Sequence, residues 1–222
     1  MSKASTAQKK EMILASARKI FYEQGYNNAY LEHIAADCGL SKQLLIYYYP
    51  NKAALANALF GQIAGEIKQL IEKRMFDYFG GMEDLQVCTA VEIKLSALLF
   101  LRDENAMRFE RETMFLASDP TYSNMDMSFY DMHVQRYDLQ IDESRDELKM
   151  IAHIIDATGA VLLSNYSLGM YNCPEDQFLD YNIEVLYHLM KIPQERIDEI
   201  NRMSNTILEL LNFRFKPYFV VE

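Results

Sequence analysis

The sequence predicts an all-α protein in which a small N-terminal three-helix unit is joined by a long helix to a larger C-terminal helical domain. Apolar residues recur at helical spacing over most of the 222 residues. Glycine or proline stands where several of these stretches end, at Gly25, Gly39, Gly80, Pro174 and Pro193. Half of the residues are hydrophobic, which is enough to build buried cores in a chain of this length.

The N-terminal unit begins with an amphipathic helix whose apolar face is formed by Ile13, Ala17, Ile20 and Phe21. We expect this helix to end at Gly25, because glycine adopts the left-handed backbone that closes a helix without a steric cost. A second, short helix is expected from about Asn28 to Gly39. The amide side chain of Asn28 is the predicted cap for the free backbone donors of that helix.

A third helix is expected to start at Ser41, whose hydroxyl can accept a hydrogen bond from a backbone N–H two or three residues further on. Lys42 and Gln43 then lie in its first turn, and Tyr47 and Tyr48 lie one turn later. Two short helices joined by a glycine-bounded turn are typical of a helix-turn-helix, which places the start of its second helix in the major groove of DNA. The sequence therefore predicts a unit that binds double-stranded DNA.

Each polar side chain of this unit has a predicted contact. Lys42 can donate to guanine acceptors or to phosphate, and Gln43 can pair its amide with adenine. The phenols of Tyr47 and Tyr48 can donate to backbone phosphates, and Lys52, at the start of the next helix, adds a positive charge there. An ordinary three-helix core with aromatic filling is the alternative interpretation of the same pattern.

The segment resembles the N-terminal domain of the tetracycline-repressor (TetR) family of bacterial transcription regulators. The matching residues are Ile13-Leu14-Ala15, Phe21, Gly25-Tyr26, Ile34-Ala35, Gly39-Leu40-Ser41-Lys42, Leu45, Tyr47-Tyr48-Tyr49 and Asn51-Lys52-Ala53-Ala54-Leu55. The resemblance implies a homodimer that binds a palindromic operator, and a C-terminal helical domain that binds an effector or a partner.

On this basis we assign residues 7–67 to a helix-turn-helix DNA-binding domain, with the motif at about 30–49. Residues 68–222 are assigned to a helical effector-binding and dimerisation domain. The predicted DNA-binding residues are Asn28, Tyr30, Ser41, Lys42, Gln43, Tyr47, Tyr48 and Lys52.

Three positions depart from the family pattern. Ala29 and Tyr30 replace a threonine followed by serine or threonine, so Asn28 must supply the cap. Gln43 replaces a frequent glycine and adds a side chain that can read a base. Ile46 replaces a tyrosine that commonly contacts phosphate, so that contact is expected to be lost. These changes affect the expected affinity and operator sequence more than the fold.

Helical patterns continue through the rest of the chain. A connecting helix is predicted from Asn51 to about Asp77, ended by Gly80-Gly81. The later predicted helices span residues 83–101, 105–117, 124–139, 143–171, 175–191 and 194–213, with a break at Asp119-Pro120.

Two of these helices are candidates for a homodimer interface. The helix at 143–171 carries small residues that allow a second backbone to approach. The apolar stripe of the helix at 194–213 is formed by Ile197, Ile200, Ser204, Ile207 and Leu211. Both helices from each of two subunits would form a four-helix interface. The alternative is that each stripe faces the core of its own domain.

The middle helices are rich in methionine and aromatic residues, which line adaptable cavities well. The candidate wall for a small, largely apolar effector is formed by Met107, Met114, Phe129, Tyr130, His133 and Tyr137, with Met125, Met127 and Met132 near them in sequence. Tyr130 and His133 could orient a polar group of the ligand. Core filling explains the same residues equally well.

The net charge of −10 is unevenly distributed. Residues 1–60 hold seven basic and four acidic residues and carry +3, which leaves −13 for the remainder. This asymmetry suits a protein that presents only its basic end to DNA. Cys38, Cys88 and Cys173 are scattered without a close pair, and no signal peptide or membrane-spanning run is visible. We therefore expect a cytoplasmic protein without membrane contact.

No pattern of catalytic or metal-binding residues stands out. The histidines are isolated, and the pair His153 and Asp156 is explained more simply by a hydrogen bond than by a metal. We predict no enzyme activity, no cofactor and no metal, and a ligand-responsive regulator that binds operator DNA, most simply as a repressor. The alternative is a co-regulator or activator of the same fold that acts through a protein partner and binds DNA weakly.

Overall fold

The structure, a computed structural model, describes residues 5–81, 83–116 and 127–222. These residues form ten α-helices and one short β-hairpin, which confirms the predicted all-α class. The helices are α1 (Thr6–Asn28), α2 (Leu31–Asp37), α3 (Lys42–Tyr48), α4 (Lys52–Phe79), α5 (Leu85–Leu101), α6 (Glu104–Thr113), α7 (Ser128–Tyr137), α8 (Glu147–Ser167), α9 (Glu175–Leu189) and α10 (Gln194–Leu211). A 3-10 turn at Glu143–Arg145 precedes α8, and the antiparallel strands β1 (Phe215–Lys216) and β2 (Val220–Val221) form the hairpin.

The boundaries of α1, α3 and α4 are set by local sequence signals, largely as predicted. Gly25 interrupts α1 with φ 79° and ψ 169°, a backbone that essentially only glycine adopts. The Ser41 hydroxyl caps α3 by accepting from the backbone N–H three residues further on at 3.2 Å. Asn51 caps α4 in the same way at 2.8 Å, and Gly80 closes α4 with a left-handed φ of 73°.

The predicted cap of the second helix is wrong. Asn28 still belongs to the last turn of α1, where its side-chain amide donates to the Gln24 carbonyl at 3.3 Å. Helix α2 instead begins at Leu31, and the side chain of Tyr30 before it makes no capping hydrogen bond. The sequence pattern misplaced the cap because α1 resumes for one turn after its break at Gly25.

The later predicted helices are present, but some of them are shorter than predicted. Helix α6 ends at Thr113, before the predicted end near residue 117. The predicted helix at 143–171 is divided, because Asp146 adopts a left-handed φ of 52° between the 3-10 turn and α8. Helices α9 and α10 begin directly after Pro174 and Pro193, as predicted.

Some predicted features cannot be compared with the structure, and one feature of the structure has no counterpart in the prediction. The break at Asp119-Pro120, the first residues of the predicted helix at 124–139 and Met125 lie outside the described residues. The terminal hairpin was not predicted, because two strands of two residues each are too short to show a period in the sequence.

Aromatic rings join the first helices to the second half of the chain. Phe21 of α1 stacks on Phe109 of α6 at 5.2 Å between ring centroids, and Phe109 stacks on Phe60 of α4 at 5.0 Å. Phe219, between the two strands of the hairpin, contacts Tyr22 at 5.4 Å and Phe109 at 5.3 Å. The hydrophobic core is therefore continuous across α1, α4, α6 and the hairpin.

Candidate nucleic-acid interface

Helix α3 has one buried side and one exposed side. Leu45 is fully buried and Tyr49, just after the helix, is nearly so, and α3 packs against α2. Ser41, Lys42 and Gln43 are exposed at the start of the helix. A capped helix start with free polar side chains is the geometry with which a helix-turn-helix meets base edges.

Aromatic side chains extend this exposed surface. Tyr47 is 79% exposed and Tyr30 is 58% exposed, whereas Tyr48 is half-buried with its ring 5.2 Å from that of Tyr47. Ile46, which replaces the tyrosine of the family pattern, is also exposed and offers no hydrogen-bond donor. Asn28 is exposed, but its amide already binds the Gln24 carbonyl.

Carboxylates neutralise part of the positive charge at this surface. The Lys42 Nζ lies 2.5 Å from the Glu32 carboxylate, and the Lys19 Nζ lies 2.9 Å from Asp37. The hydrogen bond from Lys42 lowers the pKa of Glu32, and the bond from Lys19, helped by one from Ser16, lowers the pKa of Asp37. Phosphate must therefore compete with Glu32 for Lys42.

Lys52 has a structural role that the sequence did not reveal. Its Nζ donates to the carbonyls of Tyr26 at 2.7 Å, Ala29 at 3.0 Å and Asn27 at 3.3 Å, and lies 4.4 Å from the centre of the Tyr26 ring. Burial lowers the pKa of Lys52. Lys52 thus fixes the start of α4 to the connection between α1 and α2. Its contact with phosphate stays a prediction.

The predicted effector wall is packed within the second half of the chain. Tyr130 and His133 are buried on α7, and the His133 ring contacts the Thr89 hydroxyl at 3.3 Å and the Phe129 carbonyl at 2.9 Å. The Tyr137 hydroxyl donates to Asp84 at 3.3 Å. Burial raises the pKa of Tyr130 and lowers the pKa of His133.

The structure brings the aromatic members of this wall together, and the polar atoms of His133 and Tyr137 are hydrogen-bonded within the protein. The rings of Phe129 and Tyr137 lie 4.6 Å and 6.2 Å from that of His133. Met107 is buried on α6 and Met114 is half-buried directly after that helix. The role of these residues in effector binding stays a prediction.

A different cavity is open in the structure. It has a volume of about 620 Å³ and lies between the start of α6 and the facing ends of α5, α8 and α9. We call it the arginine cleft. Its lining consists of Leu101, Arg102, Asp103, Glu104, Asn105, Met107, Arg108, Arg111, Tyr166, Ser167 and Glu175. Of the predicted effector residues it includes Met107. Arg108 and Arg111, one turn apart on α6, were the sequence signal that could have indicated it.

The two helices predicted to form the dimer interface, α8 and α10, differ in whether their apolar residues are exposed. In α10 the stripe that includes Ile197, Ile200 and Ile207 is buried within the same chain, where α10 packs along α5. The prediction that this stripe faces a partner is therefore wrong. On α8, in contrast, Met150 and Ile154 are 49% and 45% exposed.

The described part of the chain contains no cluster of three or more histidine, cysteine, aspartate or glutamate residues that could hold a metal ion. Among residues 5–81, 83–116 and 127–222, no helix has the length and apolar character needed to span a bilayer.

These features define a helix-turn-helix protein with a larger helical second half. Residues 13–59 match the family described as bacterial regulatory proteins, tetR family. The resemblance to the TetR family that these residues predict is therefore confirmed for this N-terminal segment.

The sequence similarity to a curated regulator covers about a quarter of the chain. Over 55 residues the chain is 44% identical to the HTH-type transcriptional regulator RutR of Escherichia coli strain K12. The matched segment is 25% of this chain and 26% of RutR.

The similarity of fold extends much further. FadR of Thermus thermophilus, a TetR-family repressor solved with lauroyl-CoA, has a TM-score of 0.57 at 14% identity, over 83% of this chain and 96% of FadR. RolR solved without ligand has a TM-score of 0.55 at 12% identity, over 88% of this chain and 96% of RolR. At these identities the likeness is one of fold.

Proposed function

We propose that the protein is a sequence-specific transcriptional regulator that binds double-stranded operator DNA as a homodimer, most simply a repressor that a small effector releases. The observation that carries this proposal is the exposed, serine-capped start of α3 within a TetR-family domain. Residues 7–67 would form the DNA-binding domain, and residues 68–222 would bind the effector and the partner subunit.

The roles of individual residues follow from their exposure. Gln43 and Lys42 would meet base edges, because both lie exposed in the first turn of α3. Tyr47, Tyr48 and Tyr30 would contact phosphates and fix the register of the helix on DNA without reading sequence.

The exposed apolar face of α8 is the surface that we propose for the partner subunit. Met150 and Ile154 lie four residues apart on it, and the exposed Ala157 follows three residues later on the same side of the helix. Two copies of the reading helix must lie one turn of DNA apart to bind a palindrome, so operator binding requires such a contact.

A small, largely apolar effector is proposed for the second half of the chain. FadR was solved in complex with lauroyl-CoA, so a protein of this fold can bind a ligand with a long apolar part. If effector and DNA prefer different arrangements of the dimer, each weakens the binding of the other by the same factor.

A gel-shift titration with the DNA upstream of the gene tests the proposal. We expect wild-type protein to prefer one palindromic sequence, and Gln43→Ala to change the preference at one or two base pairs by about 1–3 kcal/mol each. Gln69→Ala, which removes an equally exposed glutamine on α4, is the matched control and should change nothing. Binding that is indifferent to sequence at low salt would contradict specific regulation.

The ion pairs of Lys42 and Lys19 with carboxylates favour a second candidate function, a co-regulator or activator that acts through a protein partner. Affinity purification from the native cytosol, with and without nuclease, separates the two functions. A partner that survives nuclease treatment, together with no preferred operator, would establish the second function instead.

A further inference from the structure

The arginine cleft is lined by three arginines and by the carboxylates of Asp103, Glu104 and Glu175. Arg102 is paired with Glu175 at 2.5 Å, and the Asp103 carboxylate caps α6 and accepts from the Tyr22 hydroxyl at 2.6 Å. Arg108 and Arg111, in contrast, have no carboxylate within 4.0 Å among the described residues. Neither guanidinium therefore has a direct ion pair among these residues, although the Glu112 carboxylate lies near Arg108 beside Gly25.

The remaining donors of these two arginines are only partly used. Arg111 donates from Nη1 to the Ser167 hydroxyl at 3.1 Å. The buried Nε of Arg108 has no hydrogen-bond partner within the described part of the chain. A guanidinium has five donors in a planar fork that matches a carboxylate or a phosphate, so the pair on α6 can bind one such group.

The same Arg108 holds the end of α1. Its Nη2 donates to the carbonyls of Tyr22 at 2.8 Å and Glu23 at 3.0 Å, just before the break at Gly25. One turn further along α6, the Glu112 carboxylate accepts from the Asn27 N–H at 2.8 Å, just after the break. The wall of the cleft is thus bonded directly to α1, against which α2 packs, and α2 in turn contacts α3.

We propose that the arginine cleft binds the carboxylate or phosphate group of a small molecule, held by Arg111 and Arg108, with its apolar part against Met107 and Tyr166. The volume of about 620 Å³ is in the range of small-molecule sites. An ionised acceptor binds a guanidinium more strongly than a peptide carbonyl does. An anion in the cleft therefore competes with Tyr22 and Glu23 for Arg108 and loosens α6 from α1.

This inference deepens the proposed function, since the loosened contact would change how the DNA-binding domain is held. The site itself does not depend on DNA binding. The coupling is reciprocal, so a DNA complex that requires the contact between Arg108 and α1 would bind the anion less tightly.

The site is tested on the full-length protein without DNA, with two fluorescent probes of similar shape. One is 8-anilinonaphthalene-1-sulfonate, an apolar anion, and the other is N-phenyl-1-naphthylamine, which lacks the sulfonate. We expect Arg111→Met to weaken binding of the anionic probe about tenfold or more and to leave the neutral probe within about twofold. Arg111→Lys, which keeps the charge but loses the planar fork, should lie between.

Arg202→Met is the matched control, because Arg202 is exposed on α10 outside the cleft. It should leave both probes unchanged. Circular dichroism confirms that the variants are folded. Equal weakening of the two probes by Arg111→Met, or no weakening of either, would overturn the site, as would a wild-type protein that fails to bind the anionic probe at millimolar concentration.

The coupling is tested by hydrogen exchange of the backbone around Asn27. We expect the anionic probe to speed exchange there severalfold in wild type, and to add nothing in Arg108→Met, where the contact with α1 is already lost. Unchanged exchange in wild type with the probe bound would overturn the coupling. These readouts need no operator, so failure of the proposed DNA function and failure of this inference are distinguishable.

Discussion

Tyrosine and lysine serve opposite purposes in the two halves of the molecule. On α3, Tyr47 is 79% exposed, and the side chain of Lys42 keeps 48% of its surface exposed. In the second half, Tyr130 is 6% exposed and the side chain of Lys94 is completely buried. The comparison shows that neighbouring helices, and not residue type, decide whether a polar group remains available to DNA or ligand.

Lys94 is the clearest case of a charge enclosed by the fold. Its Nζ donates to Asp180 at 2.6 Å and to Ser204 and Asn205 at 2.8 Å each, which uses all three donors and joins α5 to α9 and α10. Burial lowers the pKa of Lys94, although Asp180 opposes this effect. On α3, by contrast, Lys42 holds one exposed partner and can exchange it.

The largest expected effect on stability comes from removing the buried side chain of Lys94. Lys94→Ala should lower the free energy of unfolding by about 3–5 kcal/mol, because it leaves a cavity and removes the cation from Asp180. Urea unfolding at fixed protein concentration measures this change. Lys94→Met, which keeps the volume, should cost less.

Lys73→Ala is the matched control, since Lys73 forms an exposed pair with Asp77 on α4. It should change stability by less than about 0.5 kcal/mol. Equal losses for Lys94→Ala and Lys73→Ala would show that burial does not distinguish the two lysines.

A buried acid extends the comparison to pH. Burial raises the pKa of Glu110 on α6 to about 7 from its usual 4.5. The folded protein holds this proton more tightly than the unfolded chain does, so its contribution to stability is complete below pH 4.5 and is lost as the pH rises through about 7. The expected loss is up to about 3 kcal/mol.

Urea unfolding at several pH values checks this prediction. Glu110→Gln, which cannot titrate, should flatten the dependence over this interval, whereas Glu195→Gln at the exposed start of α10 should retain it. Identical pH profiles for wild type and Glu110→Gln would contradict the assignment.

The junction between the two halves should be sensitive at a single glycine. A Cβ at Gly25 would meet the Glu112 carboxylate at 2.7 Å, and the backbone there has φ +79°. Gly25→Ala should therefore destabilise the protein by about 2 kcal/mol, as measured by thermal or urea unfolding. Gly61→Ala in α4, where a Cβ meets no atom within 4 Å, should instead stabilise by about 0.5–1 kcal/mol. Effects of the same sign at both glycines would refute this explanation.

The smallest expected effect is a change in DNA affinity at the exposed ion pair between Glu32 and Lys42. Glu32→Gln should free Lys42 and raise DNA affinity roughly two- to fivefold at low salt, with a salt dependence steeper by about one phosphate contact. Asp77→Asn, which removes an equal charge at the far end of α4, is the control for net charge. Equal gains for both variants would assign the effect to net charge instead of Lys42.

The sequence alone determined several helix boundaries, among them the start of α3 at Ser41 and the end of α4 at Gly80. These depend on interactions between residues a few positions apart, such as the Ser41 cap and the left-handed glycine at position 80. Such signals are visible in any short window of the chain. The same reasoning failed at Asn28 because a helix can resume after a glycine, which depends on what the last turn packs against.

Tertiary structure decided which side chains are free. The three carbonyls that accept hydrogen bonds from Lys52 lie 23 to 26 positions before it in the sequence. The carbonyls of α1 that accept from Arg108 are 85 and 86 positions away. The partners of Lys94 are 86 to 111 positions away. The stripe of α10 was correctly identified as apolar, but its partner, α5, could not be identified from periodicity. Helical spacing shows that one side of a helix will be buried, whereas the surface that covers it depends on how distant segments pack.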